Sequence, residues 1–160
     1  MKVIGIITKN DNIIKTKEDL EKMNIKDKNI IIICEENIIN VKNVRFDILI
    51  IAEEINKSHE LNEIINNCKY LIINTDIKEN IEITKYIKKC YVITYGFNSK
   101  STITIISNEE NETIIEIQRQ INGLYGNKID MQELKINRNL EKCSIYYEIA
   151  FKILRFLIKI

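Results

Sequence analysis

No apolar run in the sequence approaches the ~20 residues that a membrane-spanning helix needs. No Cys-x-x-Cys pair occurs among Cys34, Cys68, Cys90 and Cys143, so neither a zinc site nor a redox motif is indicated. Neither sign of charge is in excess. Lys and Arg number 24 against 23 Asp and Glu, a net charge of +1 with acids and bases interleaved. Such a chain sets up no field to attract nucleic acid or an anionic membrane, and it lacks a basic stripe with aromatic platforms. Proline is absent and glycine occurs only four times. The four thiols read as small buried hydrophobes of a reducing, cytoplasmic compartment, without disulfides. Met1-Lys2 opens directly into a strand pattern, so no signal peptide is expected.

What is abundant is isoleucine, roughly a quarter of the 160 residues, with heavy Asn and Lys. This bias matches AT-rich codons. Its physical effect is to favour strands and to cost a little in helices. The length suits one domain, 1–160, large enough to fold without a disulfide or a metal.

The apolar runs fall at regular intervals. Lys2–Thr8, Asn29–Cys34, Phe46–Ala52, Tyr70–Asn74 and Tyr91–Tyr95 read as strands, the first of them buried on both faces. Thr16-Lys-Glu-Asp19 has the spacing of a helix start, with the helix running to Met23. Glu35–Asn43 is ambiguous and leans to a short strand or loop. Ser58 is a candidate N-cap for a helix with Leu61, Ile64 and Ile65 on one face. Glu79–Lys89 reads as a helix with Ile83, Ile87 and Cys90 inward. Strands alternating with helices describe βαβ units around a mainly parallel sheet.

The stretch Tyr91–Ile121 changes this rhythm. After Gly96 and the polar loop Phe97–Lys100, two strands follow, Ser101–Ser107 and Thr113–Arg119, with no helix between them. Asn122–Asn127 suits a hairpin turn, and Lys128–Ile136 reads as a last strand. Ser144–Ile158 closes as a helix with Ile145, Ile149, Ile153, Phe156 and Leu157 on its apolar face. The charges at Lys152, Arg155 and Lys159 favour a core helix over a membrane anchor. The expected fold is a three-layer α/β/α arrangement, a mainly parallel sheet with an appended antiparallel section.

This order, with particular residues at the joints, resembles the central ATP-binding domain of the Mur ligase family. Lys69-Tyr-Leu-Ile-Ile-Asn74-Thr75-Asp76 is similar to the family strand ending in Asn-Ala-Asp. Val92-Ile-Thr-Tyr95-Gly96-Phe97 is similar to its following strand. Val3-Ile4-Gly5-Ile6 resembles the start of its phosphate-loop strand, and Ile145–Leu154 its closing helix. The resemblance implies a scaffold built for ATP-dependent joining of amino acids to a UDP-linked peptidoglycan precursor.

The departures from the family fall on its chemistry. A phosphate loop needs glycines so that backbone N–H groups can wrap phosphate, a lysine for the outer phosphates and a hydroxyl for Mg²⁺. Here the first strand runs into Thr8-Lys9-Asn10-Asp11-Asn12 with no glycine, and Asp11 repels phosphate. Lys9 or Lys15, followed by Thr16, is the nearest remnant. Glu53 and Glu54 stand where the family holds Mg²⁺, one position out of register, and are the candidate metal ligands. The Asp-His segment and the carbamylated Lys have no counterpart. Glu141–Ser144 replaces the family's Gly-x-His-Asn. His59 falls in the first turn of a helix and reads as a surface residue.

Three functions are open at this point. The first is a stand-alone, non-catalytic relative of that domain, a binding or interaction module linked to peptidoglycan metabolism, with a protein partner or self-association. No cofactor is expected under it. Its ligand edge is the carboxyl end of the parallel strands, with Lys9, Asn10, Asn74, Asp76, Gly96, Asn98, Ser99 and Lys100. The second is an enzyme that binds Mg-ATP through Lys9, Thr16 and Lys100, with Glu53 or Glu54 on the metal. The third is an unrelated flavodoxin-like or receiver-like domain in which Asp47 or Asp76 accepts phosphate.

Overall fold

A computed structural model describes residues 2–25, 29–137 and 144–158. Five strands that read as apolar runs lie side by side and parallel: β1 (Ile4–Ile7), β2 (Ile30–Ile33), β3 (Ile48–Ile51), β4 (Tyr70–Asn74) and β5 (Tyr91–Gly96). Their spatial order is 2-1-3-4-5. Residues alternate between the two faces, as the pleat requires. Ile4, Ile6, Ile48, Ile50, Ile72, Ile93 and Tyr95 enter one core. Ile7, Leu49, Ile51, Leu71 and Ile73 enter the other. Both faces are covered, which is why these strands read as unbroken apolar runs.

Helix α1 (Ile13–Lys22) and helix α5 (Ile145–Ile158) cover the first face. Helices α2 (Ile38–Val41), α3 (His59–Asn66) and α4 (Lys78–Thr84) cover the second. The result is the expected α/β/α sandwich. The chain winds from β1 to one side and then returns past β1 to β3. The carboxyl ends of β1 and β3 therefore flank the switch point, where doubly wound sheets open a crevice.

The appended section is antiparallel, as expected, but it joins the sheet in an unusual way. β6 (Ile103–Asn108) pairs in parallel with β5 only at Tyr95↔Ile103 and Gly96↔Thr104. These are the last residues of β5 and the first of β6, so β6 runs on beyond the carboxyl edge. β7 (Glu112–Ile117) and β10 (Gln132–Asn137) add antiparallel neighbours. A bulge in β6 leaves Ile106 half exposed.

Several local expectations need correction. α1 starts at Ile13, and Thr16 is buried inside it, so Thr16–Asp19 is not a helix start. Thr16 goes inward to meet Thr8, which caps nothing. The ambiguous stretch after β2 holds a single helical turn, α2. The Asn37 side chain bonds back to the strand end at Cys34 N–H and Ile32 C=O. α4 ends at Thr84, whose hydroxyl donates to the Ile81 carbonyl. The single strand expected over 128–136 is two. β9 (Lys128–Ile129) pairs with β8 (Ile121–Asn122), and the chain then turns at Asp130–Met131 into β10.

Ser58 does cap α3, accepting the Leu61 N–H at 3.0 Å. The face of Leu61, Ile64 and Ile65 is buried as read. α5 is more deeply embedded than one apolar face implies, with Tyr147, Ala150, Phe151, Leu154 and Ile158 buried as well. Its last carbonyls would be orphaned there. The β8–β9 hairpin and Lys2 supply the donors. Asn127 Nδ2 bonds Phe156 O, Leu124 N–H bonds Leu157 O, and Lys2 Nζ bonds Ile158 O.

Candidate functional site

Two carboxylates organise the carboxyl edge of the parallel strands. Glu53 follows β3 and turns toward the loop after β1. Its Oε1 accepts the Lys9 backbone N–H at 3.0 Å, the Thr8 hydroxyl, and the Tyr147 hydroxyl at 3.3 Å. Its Oε2 accepts Asn12 Nδ2 at 2.6 Å. Asn10–Asn12 form one 3-10 turn that leads directly into α1. The carboxylate thus sits at the start of a helix, where free N–H groups and the helix dipole favour an anion.

Asp76 follows β4 and does the same for the loop after β5. Both its oxygens accept the Phe97 N–H, at 2.8 and 2.9 Å, and Oδ2 accepts the Tyr146 hydroxyl at 3.1 Å. Gly96 permits this approach. It has φ +150°, and a Cβ there would lie 2.5 Å from Asp76 Oδ1. The first turn of α5 therefore places two consecutive tyrosine hydroxyls on two separate carboxylates. Burial pushes the Tyr147 hydroxyl up to about 12. Burial, with Asp76 beside it, also raises Tyr146. Both remain protonated donors.

Amide side chains link these two groups. Asn74, fully buried, donates to Ala52 O at 3.0 Å and accepts the Asp76 N–H through Oδ1 at 3.0 Å. Asn80, also buried, donates to Asn74 O at 2.9 Å and Glu53 O at 3.2 Å. The loops after β3 and β4 are thereby fixed to one another. Tyr95 lies beneath, fully buried among Tyr146, Tyr147 and Asp76, and its hydroxyl has no partner among the described residues.

The candidate residues separate into three sets. Asn74, Asp76 and Gly96 meet in one network. Lys9 and Asn10 lie on the neighbouring loop, where Lys9 pairs with Glu54 at 3.5 Å and Asn10 with Glu36 at 3.1 Å. Asn98, Ser99 and Lys100 form a turn closed on itself. Asn98 Oδ1 accepts the Lys100 N–H at 2.9 Å, and Asn98 O accepts the Ser101 N–H. Lys100 stays exposed. Glu53 and Glu54 diverge. Glu53 is committed to four donors, while Glu54 is half exposed against Lys9. Among the described residues, no group of three or more His, Cys, Asp or Glu is placed to hold a metal ion. Asp47, at the opposite edge, accepts Lys69 Nζ at 2.5 Å and the Val3 N–H at 3.0 Å. His59 is exposed on α3, and Glu141–Cys143 lie outside the described residues.

Beside the Glu53 network lies an open groove of about 740 Å³. Its walls are the loops after β1, β2 and β3, with Ile38 and Ile39 of α2. Lys9, Lys57, Asp11, Glu35 and Glu60 all line it, so its charge is mixed. Ile39 is half exposed there.

Sequence reasoning missed Asn12, Asn80, Tyr146 and Tyr147. The signal available was small: two adjacent tyrosines opening an otherwise apolar helix. No helix among the described residues is long and apolar enough to cross a membrane. A scan of protein-family models and a search of curated proteins each return no match for this chain.

Proposed function

We propose that this chain is a non-catalytic binding or interaction module, a relative of the Mur ligase central domain that works beside peptidoglycan metabolism in the cytoplasm. The observation that carries this is the commitment of the Glu53 carboxylate. Phosphate binding at a doubly wound switch point uses the donors at the start of the first helix. Here the Lys9 N–H, the Thr8 hydroxyl and Asn12 Nδ2 are already spent on a carboxylate of the same chain. An incoming phosphate would meet that negative charge as well as Asp11. A single acidic side chain thus fills the place of the ligand that ligase chemistry requires.

The binding surface of this reading is the groove above β1, β2 and β3, with Ile39 as its apolar contact and Lys9 and Lys57 as its cations. Its test is a thermal-shift titration with Mg-ATP, Mg-ADP and a UDP-linked muramyl peptide. A ligand at a hundred times its dissociation constant adds about 2.7 kcal/mol, several degrees in Tm. The proposal expects no response to either nucleotide. A rise with the muramyl peptide, lost in Ile39→Glu, ties the groove to cell-wall precursors. A flat response to all three leaves a protein as the partner. A nucleotide response overturns the reading.

The second reading is a nucleotide-binding enzyme with Mg-ATP as cofactor. The convergence of Thr8, Lys9 and Thr16 at one helix start favours it. It requires Glu53 to leave its four donors, and turnover abolished by Lys9→Ala with the fold intact would establish it.

A further inference from the structure

Cys68 and Cys90 are far apart in sequence and carry no motif. The sheet brings them together. β4 and β5 are parallel neighbours with Tyr70 opposite Tyr91, and the Tyr91 N–H donates to Lys69 O at 2.8 Å. Cys90 therefore stands beside Lys69, one position from Cys68. Both thiols fall on the α3/α4 face. Cys68 is buried in that core and Cys90 packs against it. Paired strands lie about 4.8 Å apart and rise about 3.3 Å per residue, so diagonal neighbours have Cα atoms roughly 6 Å apart, within the separation that a disulfide tolerates.

We propose that Cys68 and Cys90 form a reversible thiol–disulfide site at the amino edge of the sheet. Exposure divides the roles. Cys90 is only partly buried and meets solvent, whereas Cys68 is 5% exposed. The neighbouring Cys68 thiol holds the Cys90 thiol below its ordinary range, and the Cys90 thiol together with burial holds Cys68 above it. Cys90, the more exposed of the two, is the thiol that an oxidant reaches, and Cys68 resolves it.

With a hydroperoxide as oxidant, the Cys90 thiolate attacks the terminal oxygen and the O–O bond breaks. This gives a sulfenic acid, and the leaving oxyanion takes a proton. Cys68 sulfur then attacks the Cys90 sulfur. The S–S bond forms, the S–O bond breaks, and water leaves with the Cys68 proton. Two thiols lose two electrons and the peroxide gains them. A small dithiol reverses the step by exchange. The product ties the α3–β4 joint to the α4–β5 joint, and both thiols are free in the reduced form described here.

The test uses the whole chain. Reduced protein is treated with hydrogen peroxide, alkylated, digested with trypsin without reductant, and mapped by mass spectrometry. The expected species is the Cys68 peptide joined to the Cys90 peptide with two hydrogens lost, restored by dithiothreitol. The oxidised protein should also melt several degrees higher, because the cross-link restrains the unfolded chain. In Cys68→Ala, Cys90 should persist as a sulfenic acid trapped by dimedone. Free, alkylated Cys68 and Cys90 after peroxide treatment of the wild type overturn the proposal, as does either of them joined to Cys34 or Cys143 instead. The wild-type map decides the question even if the variant does not fold.

Discussion

The Glu53 carboxylate accepts the backbone N–H of Lys9 at 3.0 Å, across 44 positions of sequence. This contact joins the end of β3 to the start of α1 at the switch point of the sheet. It satisfies a loop donor that would otherwise face the carboxyl edge of the sheet.

Glu53→Ala removes one acceptor group from four donors at once. Hydrogen bonds to a charged group contribute about 1.5–3 kcal/mol each, and water replaces part of that at this half-buried position. The expected loss is about 2–3 kcal/mol, roughly 5–10 °C in Tm. Glu53→Gln keeps one oxygen acceptor and should lose less. Differential scanning calorimetry of both variants checks the order.

Gly96→Ala places a methyl group against the Asp76 carboxylate at a φ of +150°. Strain of this kind costs about 1–3 kcal/mol before the clash is counted. The variant should melt several degrees lower than wild type. An unchanged urea midpoint would mean that Asp76 is not held against this backbone.

Tyr95→Phe should behave in the opposite way. The Tyr95 hydroxyl is fully buried without a partner among the described residues, so its desolvation is uncompensated. Its removal should leave Tm unchanged or raise it. A loss above about 1 kcal/mol would reveal a partner such as a bound water.

Asp47 sets part of the acid limit. Burial alone would raise its carboxyl, but Lys69 and the Val3 N–H more than offset that and hold it below its ordinary 3.8. A carboxyl depressed in the folded state binds fewer protons there than in the unfolded chain. Its contribution is therefore complete above pH 3.8 and is lost as pH falls through the lower folded value. Asp47→Asn should lower stability at pH 7, and the difference from wild type should shrink in that acid window. Urea denaturation at a series of pH values reads this directly.

The sheet was legible because apolar runs covered on both faces carry a strong local signal. β4 begins and ends where Tyr70–Asn74 predicts. Ser58 and its helix were legible for the same reason, a cap followed by Leu61, Ile64 and Ile65 at helical spacing. The loop pieces were not. Thr16 looks like a cap, but tertiary packing draws it to Thr8 inside α1. Lys128–Ile136 keeps a strand composition through Asp130–Met131, so nothing local marks the break between β9 and β10. The site was legible only as an edge. Tyr146 and Asp76 lie 70 positions apart, and Tyr147 and Glu53 lie 94 apart. No local period encodes such pairs; the crossing of α5 over the sheet makes them.

The most direct measurement is isothermal titration calorimetry of the wild-type chain with Mg-ATP. No saturable heat is expected at millimolar nucleotide, because Glu53 already occupies donors of the loop that leads into the first helix. Saturable binding that Lys9→Ala abolishes, with the thermal melt unchanged, would contradict it and restore a working phosphate site.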